Sequence, residues 1–423
     1  MKKTKLALAI ATAAMVSTPV LATNGDTLIG LGAQARALGG TGTAAFYGSE
    51  NALTNPALLG KSQGSEFAIG GTVFMPNVEA SSDVAGVQAS QTSDNDLNVI
   101  PEVSMSTRIN ENWTFGLGMF GSAGMGVDYR DSNALFNGYS NLQLMKFAPS
   151  IAYNEDNFGI GFAPVIQYGA LDINYKQYDL SGNETGNVGN GMSTDLGYGY
   201  NLGGYFDISK NLTIAAAYQS AISMDYKDQI STAATGFNLT MSDKLEQPAE
   251  LKVGVAYTMD NIMLTADAKQ IKWGDAQGYK DFNWEDQNVF ALGAKYSGDG
   301  YWVGAGYNFG SDPIKKLDQS KTAALGGYDN QAVNLFNNHF FPGIVESHIT
   351  FGGGYSLGKN TMIEGAVVYA PEVEKTVNTG AVSGGIGYSL TNNAAFLNNP
   401  ADASSHTVKH SQLGYTVSLK MNF

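Results

Sequence analysis

QLGYTVSLKMNF, residues 412–423, closes the chain and decides its fold. Leu413, Tyr415, Val417, Leu419, Met421 and Phe423 share one face of an extended strand, and Gln412, Gly414, Thr416, Ser418, Lys420 and Asn422 share the other. One face is apolar and aromatic throughout; the other is small or polar. The alternation recurs after Gly60, where Phe67, Ile69, Val73 and Met75 oppose Ala68, Gly70 and Thr72. It also sets Phe158, Ile160, Phe162, Ile166 and Tyr168 on a lipid face. Leu251, Val253, Val255 and Tyr257 oppose Glu250, Lys252 and Gly254, and Met263, Thr265, Asp267 and Lys269 point inward. A soluble sandwich alternates too. Repetition with aromatics near strand ends is the pattern of membrane-barrel girdles, where a charge on the lipid face at mid-depth costs about 2–4 kcal/mol.

The connections alternate in length. Short Asn/Asp/Gly turns fall at 110–112, 154–157, 209–211, 259–261, 298–300 and 358–360. Long polar segments fall at 77–96, 126–141, 172–192, 229–247, 274–287, 310–345 and 371–409. Short turns on one side and long loops on the other predict an all-β, transmembrane antiparallel β-barrel of about fourteen strands, both ends on the short-turn side.

Composition agrees. Charged residues are 15%, glycines number 52 in 423 residues, and there is no cysteine, so closure of the barrel, with no unpaired edge, must supply what disulfides do not. The formal charge of −14 argues against nucleic-acid binding. Lys2, Lys3 and Lys5, an apolar run from Leu6 to Val16, and Val20-Leu21-Ala22 read as a signal peptide over residues 1–22. The run is too short to span a bilayer as a helix.

Residues 23–60 break the pattern. They are rich in Gly and Ala and carry Arg36 as their one basic residue. Ahead of a barrel (61–423) with a Gly- and Ala-rich lumen, they read as an amino-terminal hatch that plugs it. Arg36 needs a carboxylate partner, such as Glu50 or a wall residue, because a buried unpaired charge is costly. Asn55-Pro56-Ala57 reads as a stiff turn.

Gln34-Ala35-Arg36-Ala37-Leu38-Gly39-Gly40 followed by Asn51-Ala52-Leu53-Thr54-Asn55-Pro56-Ala57 resembles the hatch of FadL-type outer-membrane transporters of long-chain fatty acids and their hydrocarbon-importing relatives. Leu58 departs from the Gly usual after that tripeptide. The resemblance implies landing of ligand in an apolar groove between extracellular loops, transfer to a lumenal pocket, and a hatch rearrangement. It further implies lateral exit at a kinked third strand, with no energy-coupling partner.

The third strand, 112–127, carries Gly116, Gly118, Gly121, Gly124 and Gly126, and Gly121-Ser122-Ala123-Gly124 is the expected kink. Leu135, Phe136, Tyr139 and Leu142 form the expected groove, with Val333, Leu335, Phe336, Phe340 and Phe341 as a second. Lys146, Lys269 and Arg108 are candidates to meet a ligand carboxylate, each also able to pair with Glu102, Glu250 or Asp267. Arg36, Asn55, Pro56 and Ala57 are the expected hatch gate. Expected partners are a fatty acid or hydrocarbon, outer-membrane lipid and lipopolysaccharide, and the barrel-assembly machinery through Phe423. The protein would be a monomer in the outer membrane of a Gram-negative bacterium, with no cofactor or metal. His406 and His410 have helical spacing without a zinc motif, and no nucleophile elbow is present, so an outer-membrane lipid-hydrolysing enzyme is the reading of another class. A general porin is a further one, and aromatic hydrocarbons are the alternative ligand.

Overall fold

The computed structural model describes residues 23–84, 87–179, 182–398 and 404–423; the expected leader lies outside the described residues. Fourteen strands form the wall. They are β1 (Ser65–Val84), β2 (Asn98–Arg108), β3 (Trp113–Asp128), β4 (Tyr139–Asn154), β5 (Phe158–Tyr178), β6 (Ser193–Ser209) and β7 (Leu212–Gln219). β8 (Glu250–Met259), β9 (Ile262–Ile271), β10 (Gln287–Ser297), β11 (Tyr301–Gly310), β12 (Ser347–Ser356), β13 (Thr361–Asn378) and β14 (Ser404–Asn422) follow. Sequence neighbours pair antiparallel, and β14 returns to β1 from Ser404 opposite Val84 to Asn422 opposite Glu66. Along β14, Tyr415 and Val417 face out, while Gln412, Thr416, Ser418 and Lys420 are buried.

The six short turns lie where the sequence places them. Four of the long loops are shorter than expected, because the strands run on past the apolar belt, whereas the one between β7 and β8, 220–249, is longer. β1 reaches Val84, β5 reaches Tyr178, β13 reaches Asn378 and β14 starts at Ser404. Outside the bilayer both faces can be polar, so no alternation marks these extensions. His406 and His410 therefore stand on a strand, and their helical spacing has no structural counterpart.

Besides register shifts on β6 between Asp207 and Ser209 and on β13 between Ala370 and Val373, two irregularities of the wall bear on the site. Pro149 and Pro164 interrupt the β4–β5 ladder between Phe147–Ile166 and Ile151–Phe162, since neither can donate. Against β4, the register of β3 shifts between Gly121 and Ala123, leaving Ser122 as an extra residue. The β2–β3 ladder stops there as well, at Glu102–Phe120, beside Pro101. Beyond it β2 pairs only with β1, and β3 next meets this side of the wall where Asp94 N donates to the Asp128 carbonyl (3.0 Å) and Asp128 N to Ser93 Oγ (2.9 Å). The wall thus has a ladder-free window along Gly121–Val127.

Residues 23–61 fill the lumen. They comprise a small ladder (Thr23-Asn24 on Thr27-Leu28), α1 (Gly32–Ala37), α2 (Asn51–Thr54) and a 3-10 turn (Pro56–Lys61). Among the loops, α3 (Ile230–Gly236), α4 (Tyr328–Phe340) and α5 (Gly380–Thr391) build a cap over the long-loop end of the barrel. One apolar cluster runs from Leu28, Ile29 and Leu53 in the hatch to Phe237, Phe282, Phe336 and Phe340 in the cap.

Candidate functional site

The hatch is fastened to the wall all the way round. Arg36 Nη2 meets Glu102 Oε1 at 2.5 Å and Nη1 meets Thr72 Oγ1 at 2.7 Å, so the partner is a wall residue. Glu50 pairs instead with Lys420 at 3.1 Å, which also meets Glu364 at 3.1 Å. Asp267 Oδ2 accepts from Gly42 N and Thr43 N, both at 2.9 Å, and Thr350 Oγ1 accepts from Gly39 N at 2.9 Å. Removing one partner of a buried ion pair costs about 3–5 kcal/mol. Arg36→Met is therefore expected to loosen the plug and raise steady ion current in planar bilayers. Adding Glu102→Gln should bring the current back toward the parent level.

Asn55-Pro56-Ala57 is a built turn. Asn55 Oδ1 accepts from Ala57 N (3.1 Å), capping the 3-10 turn, and Nδ2 donates to the Thr43 carbonyl (2.7 Å). It lies against Gly203 and Gly204 of β6, whereas the window lies at β3. Leu58 is fully buried beside Ala57 and Tyr205, filling space between hatch and wall.

A lumenal cavity of about 70 Å³ lies between hatch and wall, lined by Thr27, Leu28, Ile29, Leu53, Ser122, Lys146, Glu250, Lys252, Asp267 and Lys269 among others. That is less than half of the roughly 150 Å³ apolar cavity that takes up benzene, so residues 23–61 leave no room here for a ring-sized molecule. Two cations here share one carboxylate: Lys252 meets Glu250 at 2.9 Å and Lys269 at 4.0 Å. Lys146, 3% exposed, belongs to no ion pair among the described residues. Opposite it across the β4–β5 ladder, Gln167 has neither amide atom paired, and the Ser122 hydroxyl at the bulge is unpaired too. Buried polar groups are nearly always satisfied, and the exceptions mark water, ion or ligand positions. Sequence reasoning singled out Lys146 and Ser122 but missed Gln167, one polar residue in an alternating strand.

Other expected residues lie elsewhere. Arg108 sits at the short-turn end, donating to the carbonyls of Gly60 (2.8 Å), Ser62 (2.8 Å) and Glu111; it ties hatch to barrel and does not face the cavity. Leu135 and Leu142 are fully buried, and Phe136 packs on Phe237 and His339. Tyr139 opens β4 with Arg130 over its ring. The expected groove is thus a packed part of the cap core, because the apolar faces of neighbouring loops cover one another. The second set lies buried on α4 and just after it. Exposed apolar side chains of the cap are Leu325, Ile386, Tyr388 and Leu390, on and near α5. His339 of α4 meets His406 at 3.1 Å, and burial with that neighbour holds its pKa well below the ordinary range. Among the described residues no cluster is arranged to hold a metal ion.

No curated protein matches the chain. Many solved structures share the fold, among them two toluene transporters and a FadL homologue. The Pseudomonas putida toluene transporter TodX is 19% identical, with 93% of this chain and 99% of that one covered and a TM-score of 0.66. A Pseudomonas aeruginosa FadL homologue is 13% identical, with 94% and 100% covered and a TM-score of 0.67. The Ralstonia pickettii toluene transporter TbuX is 18% identical, with 93% and 98% covered and a TM-score of 0.61. A closed fourteen-stranded wall, a filled lumen and a third strand bulged at Ser122 are joined by a family match over residues 9–325, and the chain belongs to the family described as outer membrane protein transport protein (OMPP1/FadL/TodX).

Proposed function

We propose that this protein carries out passive uptake across the outer membrane of hydrophobic molecules with an anionic head, long-chain fatty acids first among them. Lys146 carries the reading. It is a buried ammonium with no ion-pair contact among the described residues, beside the unpaired Gln167 amide and Ser122 hydroxyl. A carboxylate accepts from an ammonium, an amide N–H and a hydroxyl at once, and hydrogen bonds to charged groups are among the strong ones. The tail would occupy the space now taken by Leu28, Ile29 and Leu53, after landing on the exposed apolar side chains around α5. The ladder-free window beside β3 supports a lateral exit into the outer leaflet. The hatch, residues 23–60, gates that exit at its amino-terminal strand, while Arg36 and Asn55-Pro56-Ala57 hold the rest in place.

The protein would act as a monomer among outer-membrane lipid and lipopolysaccharide. The Phe423 side chain, 78% exposed, is free for the assembly machinery to read. A second reading, aromatic hydrocarbons as ligand, draws on the toluene transporters among the structural neighbours. Lys146→Met separates the two. Loss of a hydrogen-bonded charge is worth about 1.5–3 kcal/mol, so oleate binding should weaken about tenfold to a hundredfold while toluene uptake is unchanged. Equal oleate binding in the variant would favour the hydrocarbon.

A further inference from the structure

We propose that the extracellular loop between β9 and β10 is the latch of the hatch: Trp273, Tyr279 and Trp284 hold Gly25 and so keep the first hatch strand across the β2–β3 window. The consequence for transport rests on the lateral-exit reading, but the latch itself is tested without any ligand.

The three rings form a closed cage with centroids 4.6, 4.9 and 4.8 Å apart. None is more than 2% exposed. Gly25 sits against it with φ of +69°, and a Cβ there would lie 2.7 Å from Trp273 and 2.9 Å from Trp284. Only glycine provides both that backbone and that approach. The cage is fixed from outside: Trp284 Nε1 donates to Asn337 Oδ1 on α4 (3.0 Å), and Trp273 Nε1 to Gln287 Oε1 on β10 (3.3 Å).

The next residues join the cage to the window. The Asp26 carboxylate accepts from the Tyr279 hydroxyl and from Gln247 Nε2 (2.9 Å). The Asp26 carbonyl accepts from Gly124 N (3.0 Å), which sets Thr27 opposite Ala123 at the bulge. Gly25, Asp26 and Thr27 thus span from loop cage to open edge. The strand stays on β3 while Gly25 stays packed against Trp273 and Trp284.

The fastening differs in kind from the rest of the hatch. Arg36 and Glu50 are held by buried ion pairs, whereas Asp26, fully buried, belongs to no ion pair among the described residues and is held by neutral donors. Ring contacts can part without leaving a buried cation unpaired, as separating an ion pair does. The cage also reports on the cap, since Phe282 of the same loop stacks on Phe336 of α4, centroids 5.5 Å apart and planes 19°. An apolar molecule that parts this stack would move Trp284 and Gly25 together.

The chain has no cysteine, so Thr27→Cys is a silent reporter. In full-length protein in lipid vesicles, its reaction with a small methanethiosulfonate reagent should be slow. Trp284→Ala should speed it about tenfold or more, which is about 1.4 kcal/mol of lost closure. Trp284→Phe should restore slow reaction. Ser49→Cys, in the ion-paired part of the hatch, should not change. Unchanged labelling at position 27, or equal acceleration at both positions, would overturn the latch. If Trp284→Ala does not fold, Gly25→Ala tests the same contact from the hatch side, with the same outcomes read in the same way.

Discussion

Removing residues 26–53 leaves a folded barrel that conducts ions continuously. The wall does not depend on the hatch for its ladder: β14 pairs with β1 along its whole length, and among the described residues the one strand pairing of the hatch onto the barrel is Thr27 with Ala123. Eight-stranded barrels fill with side chains and sixteen-stranded porins hold water, so a fourteen-stranded lumen without its plug is wide enough for hydrated ions. The groups the hatch now covers, Glu102, Glu250, Lys252, Asp267, Glu364 and Lys420, would meet water and lose the penalty of burial. Single-channel recording should show a steady open level in the deletion and a closed one in the parent. Heat-modifiable mobility on gels checks that the barrel has formed. Loss of that mobility shift would make the hatch a folding element, and a folded but silent deletion would move the barrier from the hatch to the cap.

Much of the wall was legible because membrane solvation acts locally. Tyr415 and Val417 face lipid and Thr416 and Lys420 face the lumen for reasons their immediate neighbours already express, and turns such as 298–300 carry their own backbone chemistry. The bulge at Ser122 was legible as a run of small residues. The strand extensions to Val84 and Tyr178 were not, since outside the bilayer no solvent difference enforces alternation. Leu135 and Phe136 looked like an exposed binding surface, yet apolar loop residues read the same whether they face water or another loop. The cage on Gly25 depends on residues more than two hundred positions away in sequence, and no periodicity or motif joins Trp284 to a glycine turn. Gln167 shows the same limit on a smaller scale: its significance lies in having no partner, which only the folded arrangement reveals.

Cross-linking Thr27→Cys to Ala123→Cys should abolish uptake, and reduction should restore it. The hydrogen bond from Gly124 N to the Asp26 carbonyl makes Thr27–Ala123 a non-hydrogen-bonded antiparallel pair, the kind in which facing Cα atoms come within about 4.5 Å. Disulfides accept Cα separations of about 4.4–6.8 Å, so the bond can form with little backbone movement. It would staple the first hatch strand, and with it Leu28 and Ile29, across the window while leaving Lys146, the rest of the cavity lining and the cap untouched. A ligand could then still land on the cap but neither enter the lumen nor leave through the wall. Oleate binding and transport into cells or vesicles should both fall in the oxidised protein, and dithiothreitol should return both in the same preparation. Undiminished transport through the oxidised barrel would place the exit elsewhere, through the hatch toward the short-turn side. Binding kept while transport is lost would place the acyl chain outside the space that Leu28 and Ile29 now fill, because a cavity of about 70 Å³ has no room for it until they withdraw.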